Sequence, residues 1–383
     1  AHTPPLASNG FLKRVNIRGK DQNSITPMDH DNRILCHFLD GATLEINGLL
    51  KASYLVKFIN QDKRKVEYET TINKNEWARS NLQYFINWKI QVFQGNHLLF
   101  EHTYNPAGKN IFISFESSSL GDTIAYMPYT LEFKNKHHCN VIVCTHFNHL
   151  FESVYPELNF VTPGETANNL YAIYRLGWFY DSHKEPVPPN AMPLQKAACN
   201  ILGLRYRELK PRIKYSGESP QTGRLVTIAT HSTAGCKFWT GQGWQEVIDY
   251  LKEKGYTVIN VSKEINEFKN CLHLECDPTF QTTIDLIHQS RFFIGLSSGL
   301  SWLAWAIGTP VVMISNFTES WHEFECRRIT NTAVCHGCWN SHLYSFDKGD
   351  WNWCPLHQGT ERQFECMKTI TSEMVINSLI PLL

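Results

Sequence analysis

The chain has no net charge: 36 Lys and Arg balance 36 Asp and Glu over 383 residues. It therefore lacks the field that would recruit nucleic acid or an anionic membrane surface. It also lacks any apolar run approaching the length of a membrane span. The first residues, Ala1-His2-Thr3-Pro4-Pro5, carry neither the basic nor the apolar region of a signal peptide, unless an upstream segment has been removed. No D-x-D-like pair stands in a turn suited to a metal–diphosphate complex.

What is present describes a folded protein of more than one domain. Hydrophobic residues make up 42% and charged residues 19%, which excludes a disordered chain, and the length predicts two or three domains. Of the 12 cysteines, eight are scattered, among them Cys139, Cys144, Cys199 and Cys236. That distribution points to a reducing cytoplasm rather than a disulfide framework. The last four, Cys335, Cys338, Cys354 and Cys366, form C-x2-C-x15-C-x11-C. The knuckle Cys335-His336-Gly337-Cys338 puts two sulfurs on one turn, and Trp339, Trp351, Trp353 and His357 suit a small shielded knob. Four thiolates in a tetrahedron select zinc or iron over magnesium or calcium; ordinary buried thiols are the alternative. Most of the 17 histidines carry no signal, and His137-His138 is expected as a solvated pair closing a helix.

Three textures follow one another. Residues 1–105 form an expected β-rich domain, with strand runs at Ile34–Leu39, Ser53–Phe58 and Tyr84–Phe93 and hairpin turns at Asp40-Gly41 and Gln94-Gly95-Asn96. It carries no catalytic constellation and suits oligomer contact or protein-substrate docking. Residues 106–215 turn to βαβ grammar: strands at Asn110–Phe115, Asn140–Thr145 and Leu158–Gly164, a helix through Tyr129, and a helix near Leu194–Leu204 after the Pro-rich loop 185–189. Ser216-Gly217-Glu218-Ser219-Pro220-Gln221-Thr222-Gly223 reads as a linker. Residues 216–383 repeat the pattern, with strands at Leu225–Thr230, Tyr256–Val261, Phe292–Leu296 and Pro310–Ile314 and helices at Gly243–Lys254, Phe280–Ser290 and Leu300–Ile307. Two Rossmann-like domains of this kind place a ligand cleft between their facing strand ends.

Three strand-to-helix turns carry candidate chemistry. In Glu116-Ser117-Ser118-Ser119-Leu120-Gly121-Asp122, Asp122 stands where a parallel sheet puts its functional edge. A carboxylate against an apolar helix there can keep a raised proton affinity and accept a proton from a hydroxyl; an N-cap or first-turn carboxylate is the alternative. Thr230 to Trp239 offers the hydroxyls of Ser232 and Thr233, backbone N–H groups and Lys237 to phosphate oxygens, without the G-x-x-x-x-G-K-[ST] order of a phosphate loop. Leu296-Ser297-Ser298-Gly299-Leu300-Ser301-Trp302 admits close phosphate approach through small residues. The last two together favour a nucleotide-diphosphate site.

Ser118-Ser119-Leu120-Gly121-Asp122 resembles the S-x-G-D turn of the ADP-heptose transferases of glycosyltransferase family 9, in which the aspartate is the proposed base. Ser232-Thr233-x-x-x-Lys237-x-Trp239 resembles their donor-phosphate segment, and Ser298-Gly299-Leu300-Ser301 their [ST]-G-L-S turn. Phe292 to Gly308, the cysteine tail and Arg362-Gln363-Phe364-Glu365-Cys366 resemble more closely the bacterial autotransporter heptosyltransferases, over essentially everything from residue 84 onward. The resemblance implies an α/β enzyme of GT-B type, with two Rossmann-like domains facing a cleft, that moves heptose from ADP-heptose to serines of an autotransporter adhesin. It implies one iron on the four cysteines, with zinc as the alternative, and a large ring-like homo-oligomer, a dodecamer. Ser297 replaces the acidic residue that usually precedes [ST]-G-L-S, and Trp302 the histidine that follows.

On this reading Asp122 takes the proton of the attacking serine, while Lys237 and the N–H groups at Ser298–Gly299 receive the leaving diphosphate. Inversion follows if donor and base lie on opposite faces of the anomeric carbon. Ser262, Lys263 and Glu264, after the strand ending at Val261, are candidate adenosine or ribose contacts. Two rivals remain: a lipopolysaccharide-type heptosyltransferase with a sugar acceptor, and a non-enzymatic module whose cysteine knob docks a protein or nucleic acid.

Overall fold

The computed structural model describes residues 16–20, 25–27, 33–48, 52–216, 223–265, 267–274, 279–344, 346 and 354–383. Most of the expected linker, together with Trp351, Trp353 and the first five residues, lies outside them.

Two antiparallel sheets build the N-terminal part. One orders strands β2 (Ile25–Pro27), β3 (Arg33–His37), β4 (Thr43–Asn47) and β7 (Trp77–Arg79) in chain sequence; the other orders β6 (Lys65–Asn73), β5 (Ser53–Asn60), β8 (Trp88–Gln94) and β9 (His97–Thr103). In β5, Tyr54, Val56, Phe58 and Asn60 are buried and the residues between them are not, the period-2 alternation of a half-buried strand. The turns at Gly41 and Gly95 join antiparallel neighbours as expected. The expected strand from Tyr84 begins only at Trp88. The N–H of Phe85 is taken by Ile201 O at 2.8 Å, and its ring packs 6.2 Å from Phe133 and 5.0 Å from His137. A tertiary contact displaces the local β preference there.

The first parallel sheet orders β1 (Asn16–Lys20), β13 (Thr166–Leu176), β10 (Asn110–Phe115), β11 (Asn140–Cys144) and β12 (Asn159–Phe160). The third expected strand shrinks to the two-residue edge β12, whereas the 11-residue β13 fills an interior place. The polar start of β13, Asn168-Asn169, hides it from a hydrophobicity reading. Asn169 has φ +53°, and the ladder to β10 shifts register just beyond it, between Leu170 and Ala172, the two-against-one count of a bulge. The chain region preceding residue 105 is tied to this sheet: β1 pairs with β13, and Phe38 N donates to Tyr171 O at 2.9 Å.

The second parallel sheet orders β16 (Cys271–His273), β15 (Thr257–Asn260), β14 (Leu225–Ala229), β17 (Phe292–Leu296), β18 (Val311–Ile314) and β19 (Arg327–Ile329). All residues of β17 and β18 are buried, as expected for strands covered on both faces. Helices α3 (Gly241–Glu253), α4 (Gln281–Gln289), α5 (Gly299–Ala306) and α7 (Ser372–Leu379) belong with this sheet; α1 (Leu120–His137) and α2 (Leu194–Leu202) belong with the first, and α6 (Glu365–Lys368) is a single turn. Strand order reverses between β14 and β17 in one sheet and between β10 and β13 in the other. Such switch points open a crevice outside the carboxyl ends of the strands.

The starts of α1 and α5 meet at that crevice. A Cβ on Gly299 would stand 2.9 Å from Leu120 Cβ and 3.1 Å from Gly121 N, and one on Gly121 would stand 3.2 Å from Trp302 Cδ1. A side chain at Gly299 would force the two backbones apart, whereas one at Gly121 would press more lightly on Trp302. At the other end of α1, His137 is not the solvated residue expected. It lies 4.5 Å from the Phe133 ring, and burial, aided by the charges of Lys136 and His138, lowers its pKa to about 4. Every described cysteine carries a free thiol. No helix among the described residues is long and apolar enough to cross a membrane.

Candidate active site

A cavity of about 710 Å³ lies between the carboxyl ends of the two parallel sheets. Its wall takes Glu116 to Asp122 after β10, the segment after β14, Val261 to Glu264 after β15, Ser297 to Leu300 after β17, and Phe317, Thr318, His322 and Glu323 after β18. Trp178 and Trp339 add an aromatic corner, their rings 5.6 Å apart and nearly perpendicular.

Asp122 is half-buried on this wall, in the first turn of α1. It is not the N-cap. Ser119 is, its Oγ accepting from Asp122 N at 3.4 Å. The cap therefore uses the backbone of residue 122, and a carboxylate in a first turn also gains from the helix dipole. One turn below it, Tyr126 is fully buried; burial, then the charges of Asp122 and Glu185, raise its pKa well above 10.

Across the cavity, Lys237 Nζ donates to Ser297 O at 3.1 Å and lies 5.1 Å from the Phe317 ring centroid. Ser232 Oγ donates to the same carbonyl at 3.4 Å. The loop after β14 and the turn after β17 are thus tied at one atom. Ser298 is the N-cap residue of α5, and its buried hydroxyl has no protein partner. Among the expected donor residues, Ser232, Thr233, Lys237, Ser262, Lys263, Glu264, Ser297, Ser298, Gly299 and Leu300 all line the cavity. Ser301 does not: it is fully buried and donates to Leu296 O at 2.6 Å, holding the turn from behind. Ser262 is largely structural, its Oγ accepting from Thr230 N at 2.8 Å. Trp302, where a histidine was expected, is buried against Phe324 with centroids 4.8 Å apart.

The sequence reading missed His322 and Glu323, which lie in an irregular stretch after β18. The signal available was their place just beyond a buried parallel strand, the edge used for the other loops. His322 Nδ1 lies 2.9 Å from Met192 O and 3.2 Å from Asn340 Nδ2, and burial lowers the pKa to about 4 and keeps the ring neutral. The Glu323 side chain is 4% exposed and paired with Arg328. Burial opposes its ionisation, but Arg328, then Lys237 and His322, and a hydrogen bond from Ser297 hold its pKa at about 2.

In the cysteine tail, Cys335, His357 and Glu365 bring one ligand atom each within 4.8 Å of one another. His357 Nε2 is 3.3 Å from Glu365 Oε1. This trio contains one of the four expected sulfurs and two residues outside the cysteine pattern. The other sulfurs stand close by. Burial first, then Cys335 and Cys354, push the Cys366 thiol up to about 12, and Cys338 is raised further by burial and by Cys236, Cys366, Cys354 and Cys335. The thiol, imidazole and carboxylate gathered here are a donor set of the kind that holds a transition metal.

The description "Glycosyltransferase family 9 (heptosyltransferase)" fits residues 206–350. The autotransporter heptosyltransferase BAHTCr of Citrobacter rodentium is 35% identical over 91% of this chain and 89% of its own. BimC of Burkholderia thailandensis, described as an inactive autotransporter heptosyltransferase, is 32% identical over 77% of this chain and 74% of its own. The crystal structure of TibC from enterotoxigenic E. coli H10407, an iron-containing dodecameric glycosyltransferase, superposes with TM-score 0.86 at 32% identity, covering 94% of this chain and 98% of TibC. TibC has also been crystallised in complex with ADP-D-beta-D-heptose.

Proposed function

This chain belongs to the autotransporter heptosyltransferases, and we propose on that premise that it transfers heptose from ADP-heptose to serine hydroxyls of an autotransporter adhesin. The observation that carries the reading is one cavity lined by Asp122 from the turn of the first parallel sheet and by Lys237, Ser298 and Gly299 from the turns of the second. A carboxylate facing a cation and a helix start is the arrangement a displacement at an anomeric carbon needs. Asp122 accepts the serine proton as the serine oxygen bonds to that carbon. The bond to the diphosphate oxygen breaks with its electron pair, and Lys237 with the N–H groups at the start of α5 stabilises the charge that develops. Inversion follows if donor and base lie on opposite faces of the anomeric carbon. Ser232, Thr233, Ser262, Lys263 and Glu264 complete the donor side, the last three beside the adenosine.

On the same reading, residues 106–215 and 216–383 are the two halves of a GT-B enzyme, and residues 1–105 serve assembly or docking of the protein acceptor. The four cysteines Cys335, Cys338, Cys354 and Cys366, with His357 and Glu365 beside them, would hold one iron, which supplies a structural tie of the tail. The likeness to dodecameric TibC supports a dodecamer, ring-like on the resemblance, and the scattered cysteines support a reducing cytoplasm. Incubation of the purified protein with ADP-heptose and an autotransporter passenger tests the function: mass spectrometry should find whole heptose increments on serine. No increment would place this chain with relatives such as BimC.

A further inference from the structure

The turn after β17 carries no acidic residue of its own, yet a carboxylate reaches it from elsewhere in the chain. Ser297 Oγ donates to Glu323 Oε1 at 2.5 Å. Thr318 Oγ1 donates to the other oxygen at 2.9 Å, and Arg328 pairs with it as well. Ser297 is itself 2% exposed, and its carbonyl accepts from Lys237 and Ser232. One residue therefore faces two ways, its hydroxyl toward a buried anion and its carbonyl toward the two side chains on the donor wall. A carbonyl that holds an ammonium must itself be held, and Ser297 has a charge-assisted bond for that purpose.

We infer that Glu323 is a positioning residue of the donor site, acting through Ser297 to aim Lys237 and Ser232 at the diphosphate. The inference rests on the reading of this cavity as a nucleoside-diphosphate site. Glu323 does not touch the donor; a bare carboxylate facing a diphosphate would repel it. Glu323 stands in the cavity wall, but Arg328 and Thr318 take up its remaining oxygen, so its charge is offset by partners within the protein. The purely structural alternative, a buried ion pair that only stabilises the loop after β18, requires no consequence at Lys237.

ADP titration by calorimetry on the full-length protein separates the two. Ser297→Ala removes the relay and leaves the Glu323–Arg328 pair intact. It should weaken ADP binding roughly three- to tenfold, the size of one hydrogen bond, with the melting temperature nearly unchanged. In a Lys237→Ala background the same substitution should change ADP affinity less than about twofold, because residues acting in series are not additive. Glu323→Gln, if it folds, should lose affinity as Ser297→Ala does. If it does not fold, the Ser297–Lys237 cycle alone decides. Unchanged ADP affinity in Ser297→Ala, or full additivity with Lys237→Ala, overturns the inference and leaves the donor site standing. Failure of the unsubstituted protein to bind ADP at all overturns both.

Discussion

Asp122→Asn separates the chemical role of this side chain from its structural one. The N–H of residue 122 is capped by Ser119 whatever the side chain is, so asparagine keeps the cap and the shape. What is lost on the structural side is a negative charge in the first turn of an 18-residue helix, worth about 0.3–1 kcal/mol. In a chain of this length that lowers the melting temperature by about a degree or two. What is lost on the chemical side is proton acceptance, worth about 10²–10⁴ in rate, or about 3–5 kcal/mol of barrier. The two effects thus differ by several-fold in free energy and are read by different instruments. The assay is initial rate of heptose incorporation into a passenger under saturating donor, with ADP affinity and melting temperature measured on the same preparation. The expected result is a rate loss of at least about a hundredfold with donor affinity retained. Near-normal transfer by Asp122→Asn would refute Asp122 as the base.

Lys237→Ala should weaken ADP binding roughly ten- to a hundredfold, a charge-assisted contact being worth about 1.5–3 kcal/mol; unchanged affinity by calorimetry would move the phosphate site onto residues 297–300. Cys338→Ser should lower bound iron per chain and destabilise the tail, structural thiolate sites contributing on the order of 10 kcal/mol; elemental analysis of reductively purified protein showing no stoichiometric metal would end the metal reading. Gly299→Ala should cost about 1–3 kcal/mol of stability and depress transfer, because its Cβ would stand 2.9 Å from Leu120 Cβ; a melting temperature and rate equal to the parent's would contradict that contact. Glu185 is 2% exposed, and burial raises its pKa to about 8. The folded state therefore binds its proton more tightly than the unfolded state, stability is full below about 4.5 and falls as pH rises toward 8, and Glu185→Gln should flatten the melting-temperature profile over that range.

The turns were legible because each combines small residues and hydroxyls just beyond a buried apolar run, two of them with a charge, and β10, β14 and β17 are such runs. Leucine-to-isoleucine detail was not needed to place Asp122 or Lys237 on a sheet edge. What stayed hidden depends on contacts far apart in sequence. β13 has two asparagines near its start and a bulge after Leu170, and the residues expected to open β8 include Phe85, which bonds Ile201 instead. Glu323 has no pattern around it and gains its place only because the loop after β18 folds back on Ser297. Glu365 is similar: the cysteine spacing draws the eye to sulfur, whereas Cys335 is nearest to a histidine and a carboxylate.

The touching helix starts give the cleft the character of a caliper whose jaws are locked. Asp122 follows Gly121 by one residue and Ser298 precedes Gly299 by one, so the main-chain span between the two turns is fixed on both sides. Rotamer changes around the mouth leave that span untouched. Side chains lining the opening are therefore free to diverge and refit different acceptors, while a single inserted residue within 119–122 or 297–300 would put the gauge out of tolerance.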